Sequence, residues 1–185
     1  KVKTIFVTGT DTAVGKTVVS RALLQCFAKA DLCAAGYKPV AKSAQPTPDG
    51  LRNKDALLLQ QASGLELAYH AVNPITLEED EISTSPAVRI DYPLLSRGLH
   101  TLQERAARGV VEGTGGWRTL MNDLQPFSPW VQQGKLPVVW VVGLTVGCIS
   151  HALLTADAIA RGGLPLLCWV ANRHNPWLAP YAHIF

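Results

Sequence analysis

The stretch Gly9-Thr10-Asp11-Thr12-Ala13-Val14-Gly15-Lys16-Thr17 carries residue types and a spacing suited to holding phosphate. It follows the apolar run Ile5-Phe6-Val7 and opens a segment whose apolar residues recur at helical spacing. In a strand, loop and helix of this kind, backbone N–H groups surround phosphate oxygens and the helix adds its positive N-terminal end. Lys16 then reaches the β/γ-phosphates, and Thr17 offers its hydroxyl to Mg²⁺. The spacing departs from the usual P-loop by one residue. Thr10 stands where the first glycine is expected, and Gly9 lies one position early. A glycine-rich turn with a chance Lys-Thr is the competing reading, against which strand, loop and helix all agree.

Other chemistry-bearing residues stand at the ends of apolar runs, and ligands of parallel sheets bind beyond the carboxyl ends of strands. Lys38, Glu112 and Asn172 occupy such ends and should share one crevice with the 9–17 loop. Glu112 suits a carboxylate for a phosphate-bound metal, or else a cap for the glycine loop that follows it. Asp55 is a second metal candidate, or else a first-turn acid favoured by the helix dipole. Lys38 either turns its ammonium into the crevice or snorkels to solvent. Two lysines beside a triphosphate suit phosphoryl transfer, where the protein positions groups and offsets developing charge. None of the five histidines forms a recognisable nucleophile–base arrangement: His70 and His100 read as surface, and His151 opens a helix.

These residues need a scaffold. A buried strand is expected over 4–8, a helix from Lys16 to about Asp31, and a second strand over 34–40, the start of a parallel α/β sheet. Residues 43–52 read as a polar loop. Asn53 is a good N-cap for a helix over 54–62. Residues 63–90 read mostly as loop, 92–108 as an amphipathic helix, and 109–112 as a short strand weakened by Arg108 and Gly109. A brief helix over 127–133, a strand over 136–143, a helix after Gly147 and a strand over 164–172 follow. The tail 173–185 looks like the beginning of a further element.

Composition frames the same picture. The chain has 185 residues, 48% hydrophobic and 17% charged, enough for one packed core and unlike a disordered segment. The net charge of +3 comes with no Lys/Arg run, so no nucleic-acid footprint is expected. The one dense charge run, Glu78-Glu79-Asp80-Glu81, reads as a solvated loop or helix start. The longest apolar run, 136–144, is too short to span a membrane. Lys1-Val2-Lys3 leads straight into a strand, which argues against a signal peptide. Cys26, Cys33, Cys148 and Cys168 lack paired spacing and read as mainly buried thiols in a reducing compartment. A cytoplasmic protein is the expectation.

Beyond the P-loop, further stretches carry a resemblance. They are Ala35-Gly36-Tyr37-Lys38-Pro39-Val40, Gly50-Leu51-Arg52-Asn53-Lys54-Asp55-Ala56, Val72-Asn73-Pro74 and Val111-Glu112-Gly113-Thr114-Gly115-Gly116-Trp117. Gly147-Cys148-Ile149, His151-Ala152-Leu153-Leu154-Thr155-Ala156 and Trp169-Val170-Ala171-Asn172 complete the set. In this order the chain resembles the dethiobiotin synthetase family, whose P-loop has the same extra residue. The resemblance implies a three-layer α/β/α P-loop NTPase fold with a mostly parallel central sheet, as a single domain over 1–185 that lacks the family's C-terminal strand and helix. It implies a homodimeric, carbon–nitrogen bond-forming ligase. In that reaction 7,8-diaminononanoate takes up CO₂ as a carbamate, ATP phosphorylates it, and the second amine closes a cyclic urea.

By the same resemblance, ATP is contacted by Thr12, Ala13, Val14, Gly15, Lys16, Thr17, Val18, Asp55, Glu112, Gly113, Thr114, Gly115, Asn172 and Arg173, with Asn172 on the adenine. Thr17, Asp55 and Glu112 hold Mg²⁺. Lys38 and Lys16 are the catalytic pair. The substrate meets Thr12, Lys38, Lys42 and Ser43, and its carboxylate meets the helix start at Gly147, Cys148 and Ser150 across the dimer interface. Lys42 stands where many members have Ser, and Ser150 where Asn is usual. Two alternatives remain: a partition- or septum-type switch ATPase, whose relatives carry an additional lysine early in the loop that is lacking here, and a degenerate paralogue.

Overall fold

The computed structural model describes residues 3–77, 89–121 and 124–173. In chain order it places β1 (Thr4–Gly9), α1 (Lys16–Lys29), β2 (Ala34–Tyr37), β3 (Val40–Ala41), β4 (Gln45–Thr47), β5 (Gly50–Arg52) and α2 (Lys54–Ala62). There follow α3 (Tyr69–Val72), β6 (Ile75–Thr76), α4 (Tyr92–Arg105), β7 (Arg108–Gly116), α5 (Ser128–Gln133), β8 (Val138–Gly143), α6 (Cys148–Arg161) and β9 (Leu166–Asn172). The central sheet has five strands in the order β2-β7-β1-β8-β9, and every pairing is parallel.

β1, at the middle, reads as a continuous apolar run because both of its faces are covered. Its flanks β7 and β8 are buried valine runs, Val110-Val111 and Val138 to Val142 around Trp140. Each fully buried valine is worth roughly 1.5–3 kcal/mol, so this ribbon holds the base of the site rigid. Successive residues of β2 show which helix covers which face, since neighbours in a strand point to opposite sides. Gly36 approaches Leu59 of α2 and Leu24 of α1, whereas the Tyr37 hydroxyl donates to the Leu95 carbonyl of α4 at 2.8 Å. α1 and α2 therefore lie on one face and α4 on the other, which makes three layers. α6 packs along β8 and β9.

Several expectations from the sequence need revision. The strand expected over 34–40 is two pieces, β2 and β3, with Lys38-Pro39 between them. The polar loop at 43–52 contains the antiparallel hairpin β4–β5, turned by Pro48-Asp49. Residues 63–77, expected as loop, form α3 and β6, and β6 pairs with β3. β7 runs from Arg108 to Gly116, well beyond 109–112, because its glycines fit close neighbours: a Cβ on Gly113 would lie 2.8 Å from Phe6 Cζ. Cys26, Cys33 and Cys168 are exposed free thiols, and only Cys148 is buried. At Cys168 the neighbouring Leu166 and Leu167 are exposed as well, so the apolar start of β9 is itself uncovered. The acidic run at 78–81 and the tail at 174–185, with His174 and His183, lie outside the described residues. No helix among the described residues is long and apolar enough to cross a membrane.

Candidate active site

The loop between β1 and α1 explains its own irregular spacing. Thr10 still belongs to the sheet, its N–H donating to the Val141 carbonyl at 3.0 Å. Val14 folds back between two glycines: a Cβ on Gly9 would lie 2.5 Å from Val14 Cγ2, and one on Gly143 would lie 2.8 Å from Val14 Cγ1. The early glycine thus makes room for Val14 beneath the loop. Gly15 has φ 100°, a left-handed conformation that L side chains rarely adopt. A Cβ there would lie 2.0 Å from Asn172 Nδ2. Asn172, arriving on β9, donates that amide to the Val14 carbonyl at 2.8 Å. The last described strand therefore braces the loop.

Lys16 Nζ folds across the loop and donates to the Asp11 carbonyl at 3.1 Å. Its pKa is lowered from 10.5 to about 8, chiefly by burial and next by the charge of Lys38, while Glu112, Asp55 and Asp11 oppose the shift.

Beside it lies a polar cluster sunk into the core. Glu112 is 1% exposed, and its Oε1 accepts from the Thr17 hydroxyl at 2.7 Å and from Lys38 Nζ at 2.9 Å. Lys38, 3% exposed, also donates to the Gly113 carbonyl at 3.4 Å and lies 3.6 Å from Asp55 Oδ2. Its main chain is pinned as well: its N–H donates to the Val72 carbonyl, and its carbonyl accepts from Asn73 Nδ2, both at 2.8 Å. Lys38 therefore points into the crevice and does not snorkel. Glu112 Oε2, equally buried, has no hydrogen-bond partner. A hydroxyl and two carboxylates form the hard oxygen set that a small divalent cation takes, and the orphaned oxygen gives it a place to bind. Among the described residues no group of three or more His, Cys, Asp or Glu could hold a metal ion.

A cleft of about 800 Å³ opens over this cluster. Thr12, Ala13, Lys16, Lys38, Lys42, Ser43, Asp55, Thr114 and Gly115, all among the expected site residues, line it. Asn53, Lys54, Thr119, Leu120 and Leu124 line it too, and were not singled out as site residues. Asn53 does cap α2, its Oδ1 accepting from the Ala56 N–H at 3.0 Å, and its Nδ2 donates to the Lys42 carbonyl at 2.8 Å. Its link to the site could have been suspected from Asp55 two positions on. Nothing in the sequence marks Leu120 or Leu124.

Other expected site residues lie apart from this cleft. Val18 is largely exposed on α1, and Arg173 is exposed after β9. Gly147 is the exposed left-handed N-cap of α6, Cys148 is buried beneath it and Ser150 is exposed. None of these three lines the cleft.

A protein-family model described as an AAA domain matches residues 3–184. The ATP-dependent dethiobiotin synthetase BioD 2 of Escherichia coli (strain K12) is 63% identical over 182 residues, 98% of this chain and 79% of that protein. The chain belongs to the ATP-dependent dethiobiotin synthetase family. The Salmonella typhi member of the family is 61% identical over the same span, and the Photobacterium profundum member is 50% identical over 184 residues, 97% of this chain and 83% of that protein. A solved ParA family ATPase from Chlorobium tepidum TLS gives a TM-score of 0.48 at 12% identity, over 94% of this chain and 74% of that one, too low a likeness to bear on function.

Proposed function

We propose that this chain is an ATP-dependent carbon–nitrogen ligase that converts 7,8-diaminononanoate and CO₂ to dethiobiotin, releasing ADP and phosphate. The observation that carries the reading is Lys38. A buried ammonium held on the carboxylate of Glu112, inside the cleft that the phosphate loop opens onto, is arranged for an anionic intermediate beside a nucleotide. A nucleotide-switched binding module needs no such lysine.

In this reading the backbone of 12–17 and Lys16 grip the ATP phosphates. Lys38 holds the substrate carbamate and offsets the charge that builds as phosphate is transferred to it. Thr12, on the outer lip of the loop, orients the diamine, so that its second amine attacks the activated carbonyl and expels phosphate. Thr17, Asp55 and Glu112 would hold Mg²⁺, which when bound neutralises phosphate charge. Asn172 hydrogen-bonds the adenine while its brace on the Val14 carbonyl keeps the loop open to phosphate. The protein works as a cytoplasmic homodimer. Val146, Leu153 and Leu154, exposed around the start of α6, support an interface there, which would bring Gly147, Cys148 and Ser150 to a partner's substrate carboxylate.

The test is ADP release with and without the diamine and bicarbonate. Release that requires both supports the ligase. Diamine-independent hydrolysis that responds to a protein partner supports a switch ATPase. A folded protein with no turnover supports a degenerate paralogue.

A further inference from the structure

Neither Asn73, in the stretch Val72-Asn73-Pro74, nor its partner Tyr69 lines the cleft. Asn73 is nonetheless 2% exposed, and every polar atom of its amide is engaged. Its Nδ2 donates to the Lys38 carbonyl at 2.8 Å and to the Ile75 carbonyl at 2.9 Å. Its Oδ1 accepts from the Tyr69 hydroxyl at 2.8 Å and from the Thr76 hydroxyl at 2.7 Å. A side-chain amide offers two N–H hydrogens and two lone pairs, so this one is held in a single orientation.

Tyr69 carries the connection onward. Its hydroxyl donates to Asn73 and accepts from the Asn53 N–H at 2.7 Å. The Arg52 guanidinium lies over its ring, 4.3 Å from the centroid, and holds the ring from the other side. Asn53 caps α2 and donates its Nδ2 to the Lys42 carbonyl at 2.8 Å. One relay of side chains therefore holds both ends of the segment 38–42. Asn73 grips the Lys38 carbonyl, Asn53 grips the Lys42 carbonyl, and Tyr69 joins the two asparagines. The same relay reaches the start of α2, two positions before Asp55, whose Oδ2 lies 3.6 Å from Lys38 Nζ.

We propose that Tyr69 and Asn73 are positioning residues for the reaction: they tie the chain at Lys38 to the start of α2 and so set the separation of the Lys38 ammonium and the Asp55 carboxylate. The inference rests on the ligase reading above, in which both groups serve one phosphoryl transfer. Such a transfer depends on placement more than on covalent chemistry by the protein. Lys38 and Asp55 come from different elements, β2's end and α2, so something outside both must fix their distance.

Two hydroxyls reach the same Asn73 oxygen, and this supplies the control. Tyr69→Phe removes the hydroxyl that leads on to α2 and keeps the ring under Arg52. Thr76→Val removes the hydroxyl whose bond stays within residues 73–76. The experiment is steady-state turnover of the full chain, with thermal melting and a crystal structure of each variant. Tyr69→Phe should lower kcat for diamine-dependent ADP release about tenfold, a 1 Å misplacement being worth about a hundredfold. Its ATP affinity, by titration calorimetry without divalent cation, should change less than about threefold. Thr76→Val should melt about 2–4 °C lower for its one lost hydrogen bond. It should nevertheless keep kcat within about twofold of the parent. In the crystal structures Lys38 Nζ and Asp55 Oδ2 should shift apart by about 0.5 Å in Tyr69→Phe and stay in place in Thr76→Val.

Falls in kcat that are equal in the two variants, or that follow the falls in melting temperature, make the network structural only and overturn the proposal. So does an unmoved Lys38–Asp55 separation in Tyr69→Phe. A loss of ATP affinity as large as the loss of kcat would place the relay on the nucleotide and refute its positioning role. If the unsubstituted protein releases no ADP in response to the diamine and bicarbonate, the ligase reading itself has failed. The two crystal structures then still decide whether Tyr69 sets the separation.

Discussion

Replacing Lys38 by Met should destabilise the ligand-free protein, by an amount that the site geometry sets. Glu112 is fully buried, and Oε1 has two donors, Lys38 Nζ and the Thr17 hydroxyl. Loss of one partner from a buried ion pair costs about 3–5 kcal/mol, because a charge is left uncompensated. Thr17 still satisfies part of the carboxylate, which favours the lower end, about 3 kcal/mol. Asp55 is 43% exposed at the side chain and lies 3.6 Å from Lys38, so its share is screened and small. For a chain of this size each kcal/mol shifts the melting temperature by about 2–4 °C, so the variant should melt about 6–12 °C lower. Differential scanning calorimetry without nucleotide or divalent cation measures it. The double variant Lys38→Met with Glu112→Gln removes both charges and should recover to within about 1 kcal/mol of the parent. A Lys38→Met variant that melts with the parent, or a double variant as unstable as the sum of the singles, would refute the reasoning.

Other expectations follow from neighbouring residues. Lys38→Ala should abolish ring closure while ATP affinity, by titration calorimetry, falls far less than in Lys16→Ala; equal losses would place Lys38 on the nucleotide. Gly15→Ala should reduce nucleotide binding by at least two orders of magnitude, since it adds a Cβ 2.0 Å from Asn172 Nδ2 at φ 100°; retained affinity would show that the loop adapts. The lowered pKa of Lys16 gives a pH dependence. The folded protein holds fewer protons than the unfolded chain between about pH 8 and 10.5, so the stability of the ligand-free form should rise as pH climbs through that window. Bound phosphate restores the ammonium, and nucleotide binding at pH 8 should take up about half a proton, falling towards zero at about pH 6.5. Calorimetry in buffers of different ionisation enthalpy checks this, and no uptake at pH 8 would contradict it.

The parts of the site legible in the sequence were those where backbone conformation and charge leave a residue-type signature. The P-loop is visible because strand, glycine and helix fall in order, and Lys38 and Glu112 because charges at the ends of apolar strands need a reason. Asp55 could not be settled from sequence: the carboxylate that faces Lys38 stands where a helix dipole alone would also favour an acid. The extent of β7 was hidden because glycine reads as a strand breaker, while here Gly113 is required by the ring of Phe6. β6 was hidden because two residues pairing with β3 leave no period to detect. The cysteines misled because an apolar segment need not be covered: Leu166 and Leu167, beside Cys168, are exposed with it. Leu120 and Leu124 carry no signature, since a leucine facing a cleft and a leucine facing the core look alike in sequence.

The central claim is that this cleft joins carbon to nitrogen at the expense of ATP. Supplying ¹³C-bicarbonate, ATP and the diamino acid and following the product by mass spectrometry and ¹³C NMR tests it most directly. The account predicts one labelled cyclic-urea carbonyl for each ADP released. ADP released with no label in a ring would contradict it.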